Sequence, residues 1–237
     1  MDFGFLCEHD IKIVEFSATP NGTFYDLVKW KKHSYSMKIR QGNGYTSCFD
    51  LMDNKRVKQC KPLDNSESLD ELLVTIKKYS TSRYHLIRIK TGEVGEHLIK
   101  FIKERYKEED FEYQKYDMNH SYSDEDGQDI NTQLLDNAPQ KHTLIFIKEK
   151  ARCAKTFTKE HVGIWYERYA DKFSDDVVTQ GLLGRATGYD DNGDSIIFSD
   201  IDSVDRYLEL FDSKFSKECP WKSNSTKSSS TGAISKG

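Results

Sequence analysis

The chain has 237 residues, of which 36 % are hydrophobic and 31 % charged, and 35 basic against 39 acidic side chains leave a net charge of −4. A chain of this size can bury one good core or two modest ones. The balanced charge excludes binding of nucleic acid through an overall basic field. The longest apolar runs, such as LIFI at 144–147, are far shorter than the ~20 residues that cross a bilayer. MDFGFLCEHD also lacks the features of a signal peptide, so we expect an intracellular protein without a membrane partner.

The cysteines are odd in number and scattered, without a CxxC pair or a histidine at ligand spacing. We therefore expect free thiols in a reducing compartment and no bound metal. The five are Cys7, Cys48, Cys60, Cys153 and Cys219.

Residues 10–62 are typical of short strands and turns. An apolar alternation leads into FSATP at 16–20, and a small corner containing a proline ends the predicted strand there. Asn21-Gly22 and 42–44 mark turns, and YTSCFDL at 45–51 is predicted to be another strand.

From residue 69 onward, strand patterns alternate with helix patterns, which predicts an α/β fold with a mostly parallel sheet covered by helices on both faces. The predicted strands are 84–90, 111–117, 142–150, 162–168 and 195–200. The predicted helices are 70–80, 94–106, a short one at 130–136, a turn entering a helix at 177–189, and 201–215, which Asp200 or Asp202 would cap. An acidic surface loop is predicted at 119–129, and the Ser-, Lys- and Gly-rich residues after 216 are predicted to be disordered.

QGLLGRATGY at 180–189 holds three glycines in or near a predicted helix, where each costs ~1 kcal/mol relative to alanine. One explanation is tight packing of this helix under a strand. The other is that the missing side chains let a phosphate-bearing ligand or a facing domain approach, with Arg185 as the charged group. An arginine supplied across a domain interface can stabilise the charge on a transferring γ-phosphate.

FSATP and QGLLGRATGY resemble two motifs of superfamily 2 helicases of the DEAD/DEAH-like type. FSATP looks like the Ser-Ala-Thr motif that ends a strand of their first RecA-like domain, and QGLLGRATGY looks like the QxxGRxxR motif of their second. YHLIRIKTG at 84–92 is similar to the opening strand of the second domain, and HTLIFIKEKARCAKTF at 142–157 to a strand and loop that contact nucleic acid. This form of the motifs is similar to that of divergent helicase-like proteins of large DNA viruses and phages. A viral protein of this kind would be located in the host cell or in the virion.

The sequence departs from the family pattern at two points. Gln180 lies one residue further from Gly184 than in the family, unless Gly181 occupies the Gln position. The second arginine of the motif is replaced near Gly188 and Tyr189.

The resemblance implies a role for each residue of the motifs. Arg185 would act as the arginine finger, with Gln180 beside it in the catalytic site. The glycines Gly181, Gly184 and Gly188 would border the nucleotide, and Ser17, Ala18 and Thr19 would couple nucleotide to nucleic acid. Residues 1–77 would be a remnant of the first RecA-like domain with a smaller β-containing connection, 78–216 the second RecA-like domain, and 217–237 a disordered tail.

A basic cluster follows the predicted strand at 142–150. It consists of Lys148, Lys150, Arg152 and Lys155, which Arg83, Arg88 and Lys90 would extend. Such a cluster either is a solvated face or contacts the phosphates of a DNA or RNA single strand. Trp165 and Tyr166 either stack on a base or pack in the core, and the second role is the more common one for a strand.

The sequence contains no GxxxxGK[ST], and its acidic cluster at 123–129 follows a polar loop instead of a buried strand. We therefore expect this chain alone to bind neither ATP nor Mg²⁺ and to need an ATP-binding RecA-like half that is on another chain or has been removed. The expected function is the C-terminal part of an ATP-dependent nucleic-acid helicase or translocase. The alternative is a non-enzymatic remnant that binds nucleic acid or protein.

Overall fold

A parallel sheet of six strands lies at the centre of the computed structural model, which describes residues 41–107, 110–116, 129–148, 156–213 and 219–222. The strand order is β1-β6-β5-β2-β4-β3. The strands are β1 (Val57–Gln59), β2 (Tyr84–Arg88), β3 (Phe111–Tyr116), β4 (His142–Ile147), β5 (Val162–Tyr166) and β6 (Ile196–Ser199). The central strands are almost entirely buried, as expected for a parallel sheet covered on both faces.

Helices cover both faces of this sheet. They are α1 (Cys48–Asp53), α2 (Ser66–Ile76), α3 (Glu93–Arg105), α4 (Asp175–Thr179), α5 (Leu182–Ala186) and α6 (Ile201–Asp212), with a short π-helix at Asn131–Leu135. One core contains α2 and α3, through residues such as Leu72 and Ile102. The other contains α1, α4, α5, α6 and the π-helix, through residues such as Leu182 and Val204. The six-stranded parallel sheet flanked by helices is consistent with a RecA-like fold and confirms the predicted fold class.

The predicted strand at 45–51 is wrong, because its second half forms α1. Ser47 and Asp50 form a reciprocal capping box, in which the Ser47 hydroxyl accepts from the Asp50 N–H (3.3 Å) and the Asp50 carboxylate accepts from the Ser47 N–H (2.7 Å). Asp200 caps α6 by accepting the Ser203 N–H at 3.0 Å. The strands predicted from residue 84 onward and the helices α2, α3 and α6 form near their predicted positions, whereas the strand predicted to end at FSATP lies outside the described residues.

Two predicted boundaries need correction. β1 pairs with β6 in parallel, and α2 packs in a core of the same sheet, so residue 78 does not separate 41–77 from the sheet. Residues 219–222, which lie in the predicted disordered tail, pack against the folded chain. The Lys222 N–H donates to Asp175 Oδ2 at 2.6 Å, and the Trp221 indole N–H donates to Asp176 at 3.3 Å.

The chain leaves β2 and β5 toward opposite faces of the sheet. The helix after β2, α3, belongs to one core, whereas α4 and α5, which follow β5, belong to the other. A crevice therefore opens between the carboxyl ends of these two adjacent strands. In open parallel sheets, ligands bind at such a switch point.

Candidate functional site at the carboxyl edge of the sheet

A buried ion pair connects the ends of the two strands that flank the crevice. Arg88 is the last residue of β2 and Glu167 the first residue after β5, and their side chains are 15 % and 3 % exposed. Arg88 Nη1 lies 3.1 Å from Glu167 Oε2. The same carboxylate accepts the backbone N–H groups of Arg168 and Leu182, each at 3.0 Å. Glu167 therefore joins both strand ends to the first residue of α5.

Gly181 lies directly against this carboxylate. A Cβ atom at position 181 would be 2.3 Å from Glu167 Oε2, 2.6 Å from the Val177 carbonyl oxygen and 3.0 Å from Arg88 Nη1. Only glycine lets the start of α5 approach Glu167 closely enough for the Leu182 hydrogen bond. This contact favours the tight-packing explanation of the glycine.

The other two glycines of the motif also have internal contacts. A Cβ atom at Gly184 would be 2.3 Å from the Thr179 carbonyl oxygen, so glycine allows the short helices α4 and α5 to pack closely. Gly188 has a φ of +117° and exchanges two backbone hydrogen bonds with Thr46, each at 2.9 Å. Packing thus accounts for all three glycines, and their proximity to a nucleotide stays a prediction.

Arg185 lies in the last turn of α5 and is half-buried. Its Nη1 donates to the Gly181 carbonyl oxygen at 3.1 Å and also to the carbonyl oxygen of Gln180. The structure therefore brings the predicted finger and the predicted catalytic glutamine together, although the contact is with the Gln180 backbone. The Gln180 side chain is exposed.

The loop after α5 is held by a buried arginine that the sequence did not indicate as functional. Arg56 binds Asp191 through two hydrogen bonds of 2.5 and 2.8 Å, and its Nε donates to the Ser195 carbonyl oxygen at 2.8 Å. Burial acts to raise the pKa of Asp191, but the hydrogen bonds and positive charge of Arg56, together with hydrogen bonds from Gly193 and Thr46, hold this pKa below its usual value. Arg56 immediately precedes β1, so it fixes the loop at 191–195 to this strand.

Lys148 is the one member of the predicted basic cluster that lies within the described residues. It follows β4 at the carboxyl edge, is buried, and donates to the Glu96 carboxylate, which also accepts from Lys115 at 3.1 Å. Hydrogen bonds from Lys148 and Lys115 lower the pKa of Glu96. Lys148 therefore has an internal partner on α3 that the sequence did not indicate.

Several predicted site residues lie outside the described residues, and their roles stay predictions. These are Ser17, Ala18, Thr19, Lys150, Arg152 and Lys155.

The basic residues predicted to extend the cluster are divided between two edges of the sheet. Arg83 precedes β2 at the amino edge, where it binds Asp194 at 3.0 Å, so it does not extend the cluster. Arg88 and Lys90 are at the carboxyl edge. Trp165 and Tyr166 are both buried in the sheet, which confirms core packing over base stacking.

A pocket of about 340 Å³ occupies the crevice between β2 and β5. Its walls are the loop after β1, the ends of β2 and β5, and the first half of α3. Sequence reasoning did not find Glu167 or the pocket. The available signal was a charged residue where each of two mostly apolar strands ends, Arg88 as the last residue of β2 and Glu167 directly after β5.

The described residues show neither a cluster suited to a metal ion nor a helix suited to span a membrane. They contain no group of three or more His, Cys, Asp or Glu residues arranged to hold a metal ion. None of their helices combines the length and the apolar character that a bilayer crossing requires.

The chain is similar to an uncharacterized protein of Acanthamoeba polyphaga mimivirus. The two are 29 % identical over 185 residues, which cover 74 % of this chain and 43 % of the viral protein. The chain thus spans less than half the length of that relative. No family model and no solved structure matches the chain.

Proposed function

We propose that this chain supplies the second RecA-like domain of a nucleic-acid-dependent ATPase of the superfamily 2 helicase type. The observation that carries the proposal is the anchoring of the Gly-Arg motif. Arg185 is on a short helix whose first N–H is bound to Glu167, and Glu167 is bound to Arg88 at the end of the neighbouring strand. Such anchoring on rigid elements suits a group that must be positioned within a fraction of an ångström.

Arg185 would act on ATP held by a facing RecA-like domain, which would also supply Mg²⁺. In its present position the guanidinium donates to two neutral carbonyl oxygens, those of Gln180 and Gly181. Hydrogen bonds to charged oxygens are about twice as strong as those to neutral ones. A γ-phosphate in the cleft would therefore compete well for this side chain and draw it out of its internal position. The planar fork would then stabilise the charge that spreads over the phosphoryl oxygens.

Nucleic acid would bind at the carboxyl edge, where the loops after β2 and β4 contain Lys90 and the predicted basic cluster. Arg88 ends β2, so its ion pair with Glu167 connects this edge to the helix of Arg185. A bound nucleic-acid strand that shifts the end of β2 would alter the position of α5 through this ion pair. The viral relative extends well beyond the matched region, which leaves room there for another domain.

The test replaces Arg185 by Ala and by Lys in the chain joined to, or mixed with, the ATP-binding domain encoded with it. ATP turnover stimulated by nucleic acid should fall about 10³- to 10⁵-fold for Arg185→Ala. Lys should not restore it, because an ammonium lacks the planar fork. The melting temperature should change little, because the side chain is half-buried and donates to the backbone carbonyl oxygens of Gln180 and Gly181.

Arg105→Ala serves as the matched control, since Arg105 is an exposed arginine on α3 that pairs with Asp70. Its turnover should equal that of the unmodified chain. Normal turnover of Arg185→Ala, combined with a large loss of thermal stability, would make Arg185 a structural residue and contradict the proposal.

A further inference from the structure

The pocket between β2 and β5 has the size and position of a ligand site. Its volume of about 340 Å³ falls in the range of roughly 300–1,000 Å³ typical of small-molecule sites. It opens at the carboxyl edge of a parallel sheet, where the chain leaves the two strands toward opposite faces. The position follows from topology and does not depend on the helicase motifs.

The charge of the pocket favours an anionic ligand. Four lysine and arginine side chains line it, against two carboxylates. Arg88 and Glu167 offset each other's charge and Lys61 pairs with Glu71, which leaves Lys90 and Arg168 against Asp64. Lys90 and Arg168 are both exposed at the rim. A phosphate group suits these cations.

The floor of the pocket is apolar and partly aromatic. Leu98 and Phe101, one turn apart on α3, line it together with Tyr169, and all three are half-buried. Val94 stands at the lip and is 61 % exposed. A flat apolar body in the pocket would cover all four side chains.

The loop that closes the pocket opposite α3 is fixed in place. The Tyr166 hydroxyl accepts from the Lys61 N–H at 3.0 Å and donates to the Lys61 carbonyl oxygen at 2.9 Å. The Lys61 ammonium pairs with Glu71 of α2 at 2.9 Å. The wall is therefore formed before any ligand arrives, which lowers the entropic cost of binding.

We infer that this pocket binds a nucleotide, with the phosphate near Lys90 and Arg168 and the base on Leu98 and Phe101. Two sources have this chemistry, a single-stranded nucleic acid that crosses the carboxyl edge and a free mononucleotide. The first source rests on the proposed function, because it requires a nucleic-acid strand at this edge of the sheet. The second does not.

The experiment measures fluorescence anisotropy of the full chain with two probes, a fluorescein-labelled oligothymidylate and an AMP bearing an N-methylanthraniloyl fluorophore. Lys90→Glu and Val94→Asp place a negative charge at the rim and at the lip. Each should weaken binding about tenfold or more, as expected from the loss of one stacked base or one phosphate contact. Both side chains are exposed, so the variants should fold normally.

Lys100→Glu and Val74→Asp are matched controls, since both residues are exposed helix residues that do not line the pocket. Weaker binding of the oligothymidylate in the pocket variants alone would identify the strand as the ligand, and weaker binding of the labelled AMP would identify the free nucleotide. Equal effects in pocket and control variants, or binding of neither probe, would overturn the inference. A failed Arg185 test together with a positive pocket test would reject the proposed ATPase role only.

Discussion

Glu167 joins the ends of β2 and β5 to the start of α5. One carboxylate binds the guanidinium of Arg88 and two backbone N–H groups, while Gly181 leaves the space for it. The Glu167 side chain is almost completely buried, so the positive charge of Arg88 is needed to compensate the charge of the carboxylate.

Glu167→Gln should therefore destabilise the chain although the two side chains are nearly equal in size. Loss of one partner of a buried ion pair leaves the other charge uncompensated, at a cost of about 3–5 kcal/mol in the free energy of unfolding. Urea unfolding of the unmodified chain and of the Glu167→Gln variant measures this difference in the free energy of unfolding.

Glu71→Gln is the control for Glu167→Gln, because it removes a carboxylate whose partner, Lys61, is largely exposed. Exposed pairs contribute about 0–1 kcal/mol. Similar small changes in both variants would show that Glu167 does not hold the site together.

The amino edge of the sheet contains a second buried polar group, a pair of histidines. His85 Nε2 lies 3.0 Å from His142 Nδ1, and His85 is completely buried. Burial, the neighbouring His142 and Arg83 lower the pKa of His85 well below its usual 6.5. Burial and Arg83 also lower the pKa of His142. Both imidazoles are thus neutral in the folded chain near neutral pH.

This pair predicts a pH dependence of stability. Below about pH 6.5 the unfolded chain takes up protons that the folded chain does not, so the free energy of unfolding should fall as the pH drops. Urea unfolding at about pH 7.5 and about pH 5.5 tests this, since the carboxylates with lowered pKa values titrate below that window. In the double variant His85→Gln/His142→Gln the dependence should be weaker. An unchanged dependence would assign it to other groups.

At the level of helices and strands, the sequence predicted regular elements well and short ones poorly. The apolar runs of β2, β4 and β5 and the amphipathic pattern of α3 are long enough to identify each element. The first turn of α1 depends on one local hydrogen-bond exchange between Ser47 and Asp50, which the aromatic and β-branched residues around it obscured. β1 has only three residues and forms because β6 is beside it. Pairing partners at that distance cannot be read from a local pattern.

The segment at 219–222 is a further short element whose role depends on tertiary contacts. Asp175 is completely buried and binds Arg206 through two hydrogen bonds of 2.7 and 2.9 Å, and its Oδ2, which accepts from Arg206 Nε, also accepts the Lys222 N–H. The Asp175 N–H in turn donates to the Lys222 carbonyl oxygen at 2.8 Å. These residues close the start of α4, ten residues before Arg185.

Truncation after residue 218 should lower the free energy of unfolding by about 1–3 kcal/mol, because it removes hydrogen-bond partners from buried groups. Truncation after Lys222 keeps these contacts and should leave stability unchanged. Urea unfolding of the two shortened chains and of the full chain measures both effects. Equal stability would mean that the segment contributes nothing and that the predicted boundary of the tail holds.

At the scale of the whole molecule, the sheet topology explains why local sequence patterns predicted the fold class but not the position of the pocket. The alternation of strands and helices was sufficient to predict a covered parallel sheet. The order of the strands decides where the crevice lies, and the order is not encoded in any one segment. The pocket between β2 and β5 combines residues from 61 to 169, so only the assembled sheet reveals it.

The pairing of β1 with β6 also has a consequence for biosynthesis. Val57 aligns with Ile197, 140 positions later in the chain. At about 5–20 residues per second, the ribosome needs roughly 7–28 s to make the intervening chain. During this interval β1 has no strand to pair with, and contacts between residues so distant in sequence form slowly. An unpaired strand edge can add to another chain, so we expect nascent chains stalled before residue 199 to be prone to aggregation.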